Sequence, residues 1–162
     1  LSPFQRNTGA TLSPFNAWVV MKGLETLDLR ARRKCEIARE VGRFVETRVP
    51  VILHPGLASH PQHDLAMRQM PSGGTIFSFV LDGGAAQAHA LLDALELIDI
   101  SNNIGDSRSM MTHPETTTHY SLGPDVRAAM GVSDGMLRLS VGLEDPDDLI
   151  EDLDRAFTKA GL

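Results

Sequence analysis

Thr75-Ile-Phe-Ser-Phe-Val-Leu81, then Asp82-Gly-Gly84, then residues 85–97, is the stretch on which the fold can be read. The first run is β-branched and aromatic, and apolar enough to form a strand buried on both faces. Gly83 and Gly84 make the turn. Residues 85–97 then carry Ala88, Leu91, Leu92 and Leu95 at spacings of three and four, the mark of an amphipathic helix. Residues 98–100 enter a further strand.

The same patterns extend in both directions. Upstream, Ser13-Pro14 opens a helix, because serine can cap the free N–H groups of a first turn and proline at the first helical position loses no bond. Leu24, Leu27, Ala31, Cys35, Ala38, Val41 and Val45 then recur on one stripe until Pro50 intervenes. A helix over residues 13–47 would be a rod of roughly 50 Å at about 1.5 Å per residue. A bend near Gly23 fits, since glycine weakens a helix interior by about 1 kcal/mol relative to alanine. Residues 49–53 read as a short strand and residues 65–70 as a short helix ended by Pro71. Downstream, residues 125–130 read as a helix closed by Gly131 and residues 136–141 as a strand. Asp145-Pro-Asp-Asp-Leu149 starts a final helix with acidic residues where the helix dipole favours them. The order implies an α/β fold in an α+β layer: a small, mostly antiparallel sheet with helices on one face, preceded by a long N-terminal linking helix.

Between the strands lies Asp99-Ile-Ser-Asn-Asn-Ile-Gly-Asp-Ser-Arg-Ser-Met-Met-Thr-His-Pro-Glu-Thr-Thr-Thr-His119, too polar for a core strand and placed where an ordered functional loop belongs. In Leu137-Arg-Leu-Ser-Val141 the apolar residues alternate with Arg138 and Ser140. Leu137, Leu139 and Val141 therefore face the helices, and Arg138 points to the other face. A lone arginine on a strand is ordinarily a structural ion pair.

Composition excludes several classes. A chain of 162 residues with a net charge of −6 fits one soluble domain and argues against a nucleic-acid partner. No apolar run approaches the roughly 18 to 20 residues of a membrane span. The single cysteine, Cys35, offers no disulfide, and a cytoplasmic location is the default. Arg30-Ala-Arg-Arg-Lys34 reads as a solvated helix face, with Asp28 and Arg32 at i, i+4 spacing. His54, His60 and His63 invite a zinc reading, but the residues between them look like a turn, and His113 and His119 are six apart and cannot share a helix face. No metal is expected.

Asn103-Ile-Gly-Asp-Ser-Arg-Ser-Met110 followed by Thr112-His-Pro-Glu-Thr-Thr-Thr-His119 resembles a motif of the Cys/Met-metabolism pyridoxal-phosphate enzymes. Leu12-Ser-Pro-Phe-Asn-Ala-Trp18, Pro55-Gly-Leu-Ala-Ser-His-Pro-Gln-His63 and Leu137-Arg-Leu-Ser-Val-Gly-Leu-Glu-Asp145 agree with it in order and spacing. The blocks span nearly the whole chain and match the C-terminal part of such an enzyme. The resemblance implies that residues 1–12 are the tail of a cofactor-binding domain, residues 13–47 a linking helix, and residues 48–162 the small domain.

For the site, the resemblance implies that Arg138 holds the α-carboxylate of an amino-acid substrate, a task suited to its planar, permanently charged fork. Asn103 falls where many members carry serine near that carboxylate and retains hydrogen-bonding capacity. Gly105 allows either close approach or a positive φ. Ser109, Thr112 and His113 either support this loop functionally or simply bond within it. Within the family, Asn-Ile-Gly-Asp with Thr-Thr-Thr-His resembles the O-succinylhomoserine sulfhydrylase branch, which implies sulfide as the second substrate and homocysteine as product. Cystathionine γ-synthase and methionine γ-lyase are the alternatives, as are a non-catalytic amino-acid-binding or oligomerisation module.

The cofactor aldehyde needs a lysine amine. Lys22, Lys34 and Lys159 are the only lysines, and none stands in a Ser-x-Thr-Lys setting. No catalytic residue is therefore expected in this chain, which should be inactive alone. Pyridoxal phosphate, the N-terminal domain and a homotetrameric assembly are implied for the full-length enzyme.

Overall fold

The computed structural model describes residue 9 and residues 12–162. Of the expected tail over residues 1–12, only Gly9 and Leu12 fall within the described residues. The chain divides into two units, residues 1–32 and 33–162.

In the first unit, Ser13 caps helix α1 (Pro14–Glu25), its hydroxyl accepting from the Asn16 amide at 3.2 Å. The expected single helix is in fact two. Thr26 breaks it at φ −110° and ψ 8°, and α2 (Leu27–Glu46) starts anew. The break falls at this β-branched residue rather than at Gly23, which stays helical; the Thr26 hydroxyl accepts from Arg30 Nε at 3.2 Å in the following turn. Helix α1 buries none of its residues, and Phe15, Trp18, Val19, Val20, Met21 and Leu24 are exposed.

The second unit begins inside α2, and the C-terminal part of that helix supplies core. Its buried stripe is Lys34, Ile37, Ala38, Val41, Gly42 and Val45. Relative to the stripe expected from sequence, Leu24 and Leu27 are exposed and Ile37 replaces Cys35 as the inward residue.

Then follow β1 (Val51–Leu53), α3 (His63–Gln69), β2 (Ile76–Val80), α4 (Gly84–Ala94), β3 (Asp99–Ile100), β4 (Met110–Thr112), a 3-10 turn (Tyr120–Leu122), α5 (Pro124–Ala129), β5 (Met136–Ser140) and α6 (Pro146–Lys159). The five strands form one sheet in the order β1-β2-β5-β4-β3, antiparallel except for the β3–β4 pair. The mixed α/β class, mostly antiparallel, is as the sequence implies. Strand β4 departs from expectation, since residues 110–112 read as loop.

The register sorts side chains by face. Phe79 stands opposite Ile52 and Leu137, and Leu139 opposite Phe77 and Met111. These six residues join one apolar cluster with α2, α4 and α6, including Ala38, Leu91, Leu153 and Phe157. Each fully buried large side chain there contributes roughly 1.5 to 3 kcal/mol. The other face is less covered: Ile76, Ser78 and Val80 are half-buried, so β2 is not buried on both faces. At the end of α4, the buried Asp152 carboxylate of α6 accepts from the amides of Glu96, Leu97 and Ile98 at 2.9, 3.1 and 3.0 Å. That fixes the chain's entry into β3.

Candidate functional site

Arg138 occupies the middle of β5 on the less covered face. Ser78 of β2 and Thr112 of β4 stand opposite it in the register, and Ser140 lies two residues on, on the same face. Its Nη2 donates to the Asn102 carbonyl oxygen at 2.9 Å, while its buried Nε–H has no acceptor among the described residues. No carboxylate of the described residues pairs with it. Other arginines of this unit do pair: Arg127 with Glu115 at 2.9 Å and Arg108 with Asp99 at 2.7 Å. The structural ion pair ordinarily expected of a strand arginine is therefore not what Arg138 makes.

The loop of residues 101–109 crosses this face. Strands β3 and β4 run parallel, so the chain has to return along the sheet before it can enter β4. The loop's contacts with β5 are Arg138 on Asn102 and the Gly105 amide on Ser140 Oγ at 3.3 Å. Gly105 has φ +83°, and a Cβ there would meet nothing within 4 Å, so conformation and not crowding asks for glycine. Asp106 accepts from the Arg108 amide and the Ser107 hydroxyl at 3.2 Å each, which together hold its carboxyl below the ordinary range. At the far end, Ser109 is fully buried and its amide and hydroxyl donate to Glu144 at 2.6 and 2.8 Å. The Ser109 hydroxyl in turn accepts from the Gly142 amide at 2.9 Å. Gly142 is needed for space: a Cβ there would come within 2.5 Å of the Ser107 oxygen and of the Arg108 carbonyl carbon.

The remaining sequence-predicted residues are placed as follows. Asn103 is exposed, next to the residue that touches Arg138, and its amide bonds Ser101 Oγ at 3.2 Å. Thr112 is buried in β4 and bonds Thr117 Oγ1 at 3.0 Å. His113 is buried with Nε2 against the Asp134 carbonyl at 2.6 Å and Nδ1 against Thr116 Oγ1 at 2.9 Å. A carbonyl can only accept, so Nε2 carries a proton and donates to it. Thr112 and His113 thus hold the turn that follows β4. Asn102, Ser140, Glu144 and Lys34 belong to the same arrangement but carry no local sequence signal.

The histidines of residues 54–63 bond to their own turn. His54 Nδ1 accepts from the Gly56 amide at 2.9 Å, His60 Nδ1 from the Gln62 amide at 3.1 Å, and His63 Nδ1 meets the Pro55 carbonyl at 2.9 Å. Among the described residues no group of three His, Cys, Asp or Glu could hold a metal ion.

The family described as Cys/Met metabolism PLP-dependent enzymes matches residues 1–158. The chain belongs to that family. It is 50% identical over 159 residues to O-succinylhomoserine sulfhydrylase of Mycobacterium tuberculosis, covering 94% of this chain and 39% of that protein. Against L-methionine gamma-lyase of Pseudomonas putida the identity is 43% over 152 residues, covering 93% and 38%. The fold matches a crystal structure of cystathionine gamma synthase from Xanthomonas oryzae pv. oryzae in complex with aminoacrylate and cysteine. That match has a TM-score of 0.88 at 39% identity and covers 96% of this chain and 41% of the other. The chain thus spans about two fifths of the length of these relatives.

The family is PLP-dependent, and the described residues do not fit the cofactor. Its aldehyde requires an accessible lysine amine. Lys22 pairs with Glu25 at 2.9 Å, Lys159 lies 3.7 Å from Glu96, and Lys34 is buried with Nζ donating to the Asp106 carbonyl at 2.8 Å. None of the three is on the strands or loop that form the Arg138 face. The one Gly-Gly helix start, at α4, is unsuited to phosphate. Gln87 occupies the Gly83 amide at 3.0 Å, and a Cβ at Gly84 would lie 2.7 Å from an Asp134 carboxylate oxygen. A phosphate needs free amides and positive potential there. No helix of the described residues is long and apolar enough to cross a membrane.

Proposed function

We propose that this chain is the C-terminal, substrate-carboxylate-holding domain of a longer pyridoxal-phosphate-dependent transsulfuration enzyme. The observation that carries the reading is Arg138: a half-buried guanidinium on the less covered sheet face, aimed by a backbone carbonyl and paired with no carboxylate of the described residues. A substrate α-carboxylate is the partner its fork fits. Asn103, beside Asn102 on the same loop, offers an amide that can donate to or accept from the substrate. Gly105, Ser109, Thr112 and His113 hold the loop and the turn around it.

The reaction proposed is γ-replacement by a transferase. Sulfide forms a C–S bond at the γ-carbon of O-succinylhomoserine as the C–O bond to succinate breaks, giving homocysteine for methionine biosynthesis. The support is the 50% identity to a protein of that name. The cofactor, its lysine and the leaving-group contacts lie outside this chain in this reading, and the chain alone is inactive. Helix α1, with Phe15 and Trp18 exposed, is where the enzyme's own N-terminal domain or a neighbouring subunit of a cytoplasmic homotetramer would pack.

The test is to supply the complete protein carrying this sequence, loaded with pyridoxal phosphate, with O-succinylhomoserine and sulfide, and to follow homocysteine and succinate. Equal release of both supports the reading. Turnover of methionine alone would make it a γ-lyase instead, and cystathionine formation with cysteine but no reaction with sulfide would make it a cystathionine γ-synthase.

A further inference from the structure

We propose that Lys34 is a positioning residue of the Arg138 site, fixing the loop of residues 101–109 at Asp106 and thereby setting where Asn102 and the Arg138 guanidinium stand. The inference rests on the reading of Arg138 as the carboxylate holder.

Lys34 departs from the other cations in its run. Arg32 and Arg33 pair with Asp28 and Glu36 on the helix surface, with both partners more than half exposed. Lys34, on the next position of α2, is only 6% exposed. Lysine is rarely buried unless paired, because dehydrating an ammonium group is costly. Here Nζ reaches across 72 positions of sequence to the Asp106 carbonyl at 2.8 Å. One contact of this buried ammonium is thus to the backbone of an exposed loop.

The geometry of the loop gives that contact its meaning. Residues 102–108 are all exposed, and at Gly105 an added Cβ would meet nothing, so side-chain packing does not shape this segment. Its course depends on polar tethers. Two of them bracket Gly105, and both are cations donating to a backbone carbonyl: Arg138 to Asn102 and Lys34 to Asp106. The Gly105 amide adds a long bond to Ser140. With Lys34 in place the Asn102 carbonyl is held where it aims the guanidinium. Ser107 is held separately, its carbonyl accepting from the Leu143 amide at 2.8 Å; without Lys34 it is therefore residues 103–106 that can shift, and Arg138 meets a carboxylate with a fork that is less preorganised. Sites of this kind lose affinity when the supporting contacts, rather than the contacting group, are relaxed.

The test uses the complete, cofactor-loaded protein and two competing ligands, L-norleucine and pentylamine, which differ by the α-carboxylate. Lys34→Met keeps the apolar stem and removes the donors. It is expected to weaken norleucine by about tenfold and pentylamine by less than about twofold, a coupling of ordinary size between linked sites. In an Arg138→Ala background the same substitution should cost norleucine less than about twofold, because contacts that act through one another are not additive. Should Lys34→Met fail to fold, Lys34→Gln, which keeps a shorter amide donor, takes its place and should lie between wild type and the methionine prediction. Equal weakening of both ligands, or an undiminished effect in the Arg138→Ala background, would overturn the proposal by making Lys34 a support of the fold alone. If Arg138→Ala itself does not separate norleucine from pentylamine, the carboxylate reading fails first, and this inference with it.

Discussion

Arg138 Nη2 donates to the Asn102 carbonyl oxygen at 2.9 Å, joining two residues 36 positions apart. The choice of acceptor matters. A backbone carbonyl orients the guanidinium without neutralising it, whereas the Glu115 carboxylate on Arg127 does both. The charge of Arg138 is therefore not neutralised by any carboxylate of the described residues, and in the proposed reading each hydrogen bond from it to a substrate carboxylate is worth about 1.5 to 3 kcal/mol.

The first prediction concerns the cofactor. Incubated with pyridoxal phosphate and treated with borohydride, the 162-residue chain should acquire no stoichiometric adduct at a single lysine. Mass spectrometry after digestion reads this directly, and one fully modified lysine would contradict the account.

Asp152→Asn should lower stability by about 2 to 4 kcal/mol, because the carboxylate accepts three backbone amides and bonds to charged groups carry roughly 1.5 to 3 kcal/mol each. Asparagine retains one acceptor and turns an N–H toward the others. A urea midpoint equal to that of wild type would show that the entry into β3 is held by other contacts.

How much of this was legible in the sequence differs residue by residue. The outward face of Arg138 could be read because Leu137 and Leu139 alternate with it, and that alternation is local. Strand β4 could not be read, since Met110–Thr112 is three residues long, is flanked by polar loop, and becomes a strand only by pairing with β5 and β3. The inward turn of Lys34 was hidden in a basic run that otherwise faces water. Asp152 carries no local signal within an acidic helix, because the amides from which it accepts lie about 55 positions away. In each case a long-range partner decides the role.

A pH prediction follows from His54. Burial holds its pKa below the ordinary histidine value, and the nearby His60 and Arg39 act in the same direction. A depressed histidine pKa means that the unfolded chain binds the proton more readily than the folded one. Its contribution to stability is therefore constant above the ordinary value of about 6.5, falls as pH drops below that, and levels off only below the folded-state pKa. His54→Gln cannot titrate and should flatten this part of the profile. Thermal midpoints taken from about pH 8 to about pH 5 would show it; identical acid slopes in the two proteins would count against it.

The central claim is that Arg138 holds a substrate carboxylate, and its most direct measurement is kcat/KM for the amino-acid substrate in the complete, cofactor-loaded protein carrying Arg138→Lys. Lysine keeps the positive charge and loses the two-pronged geometry. The account predicts a fall of about tenfold or more, with the fold intact by circular dichroism. Unchanged kcat/KM would contradict it and make Arg138 a structural residue of the strand.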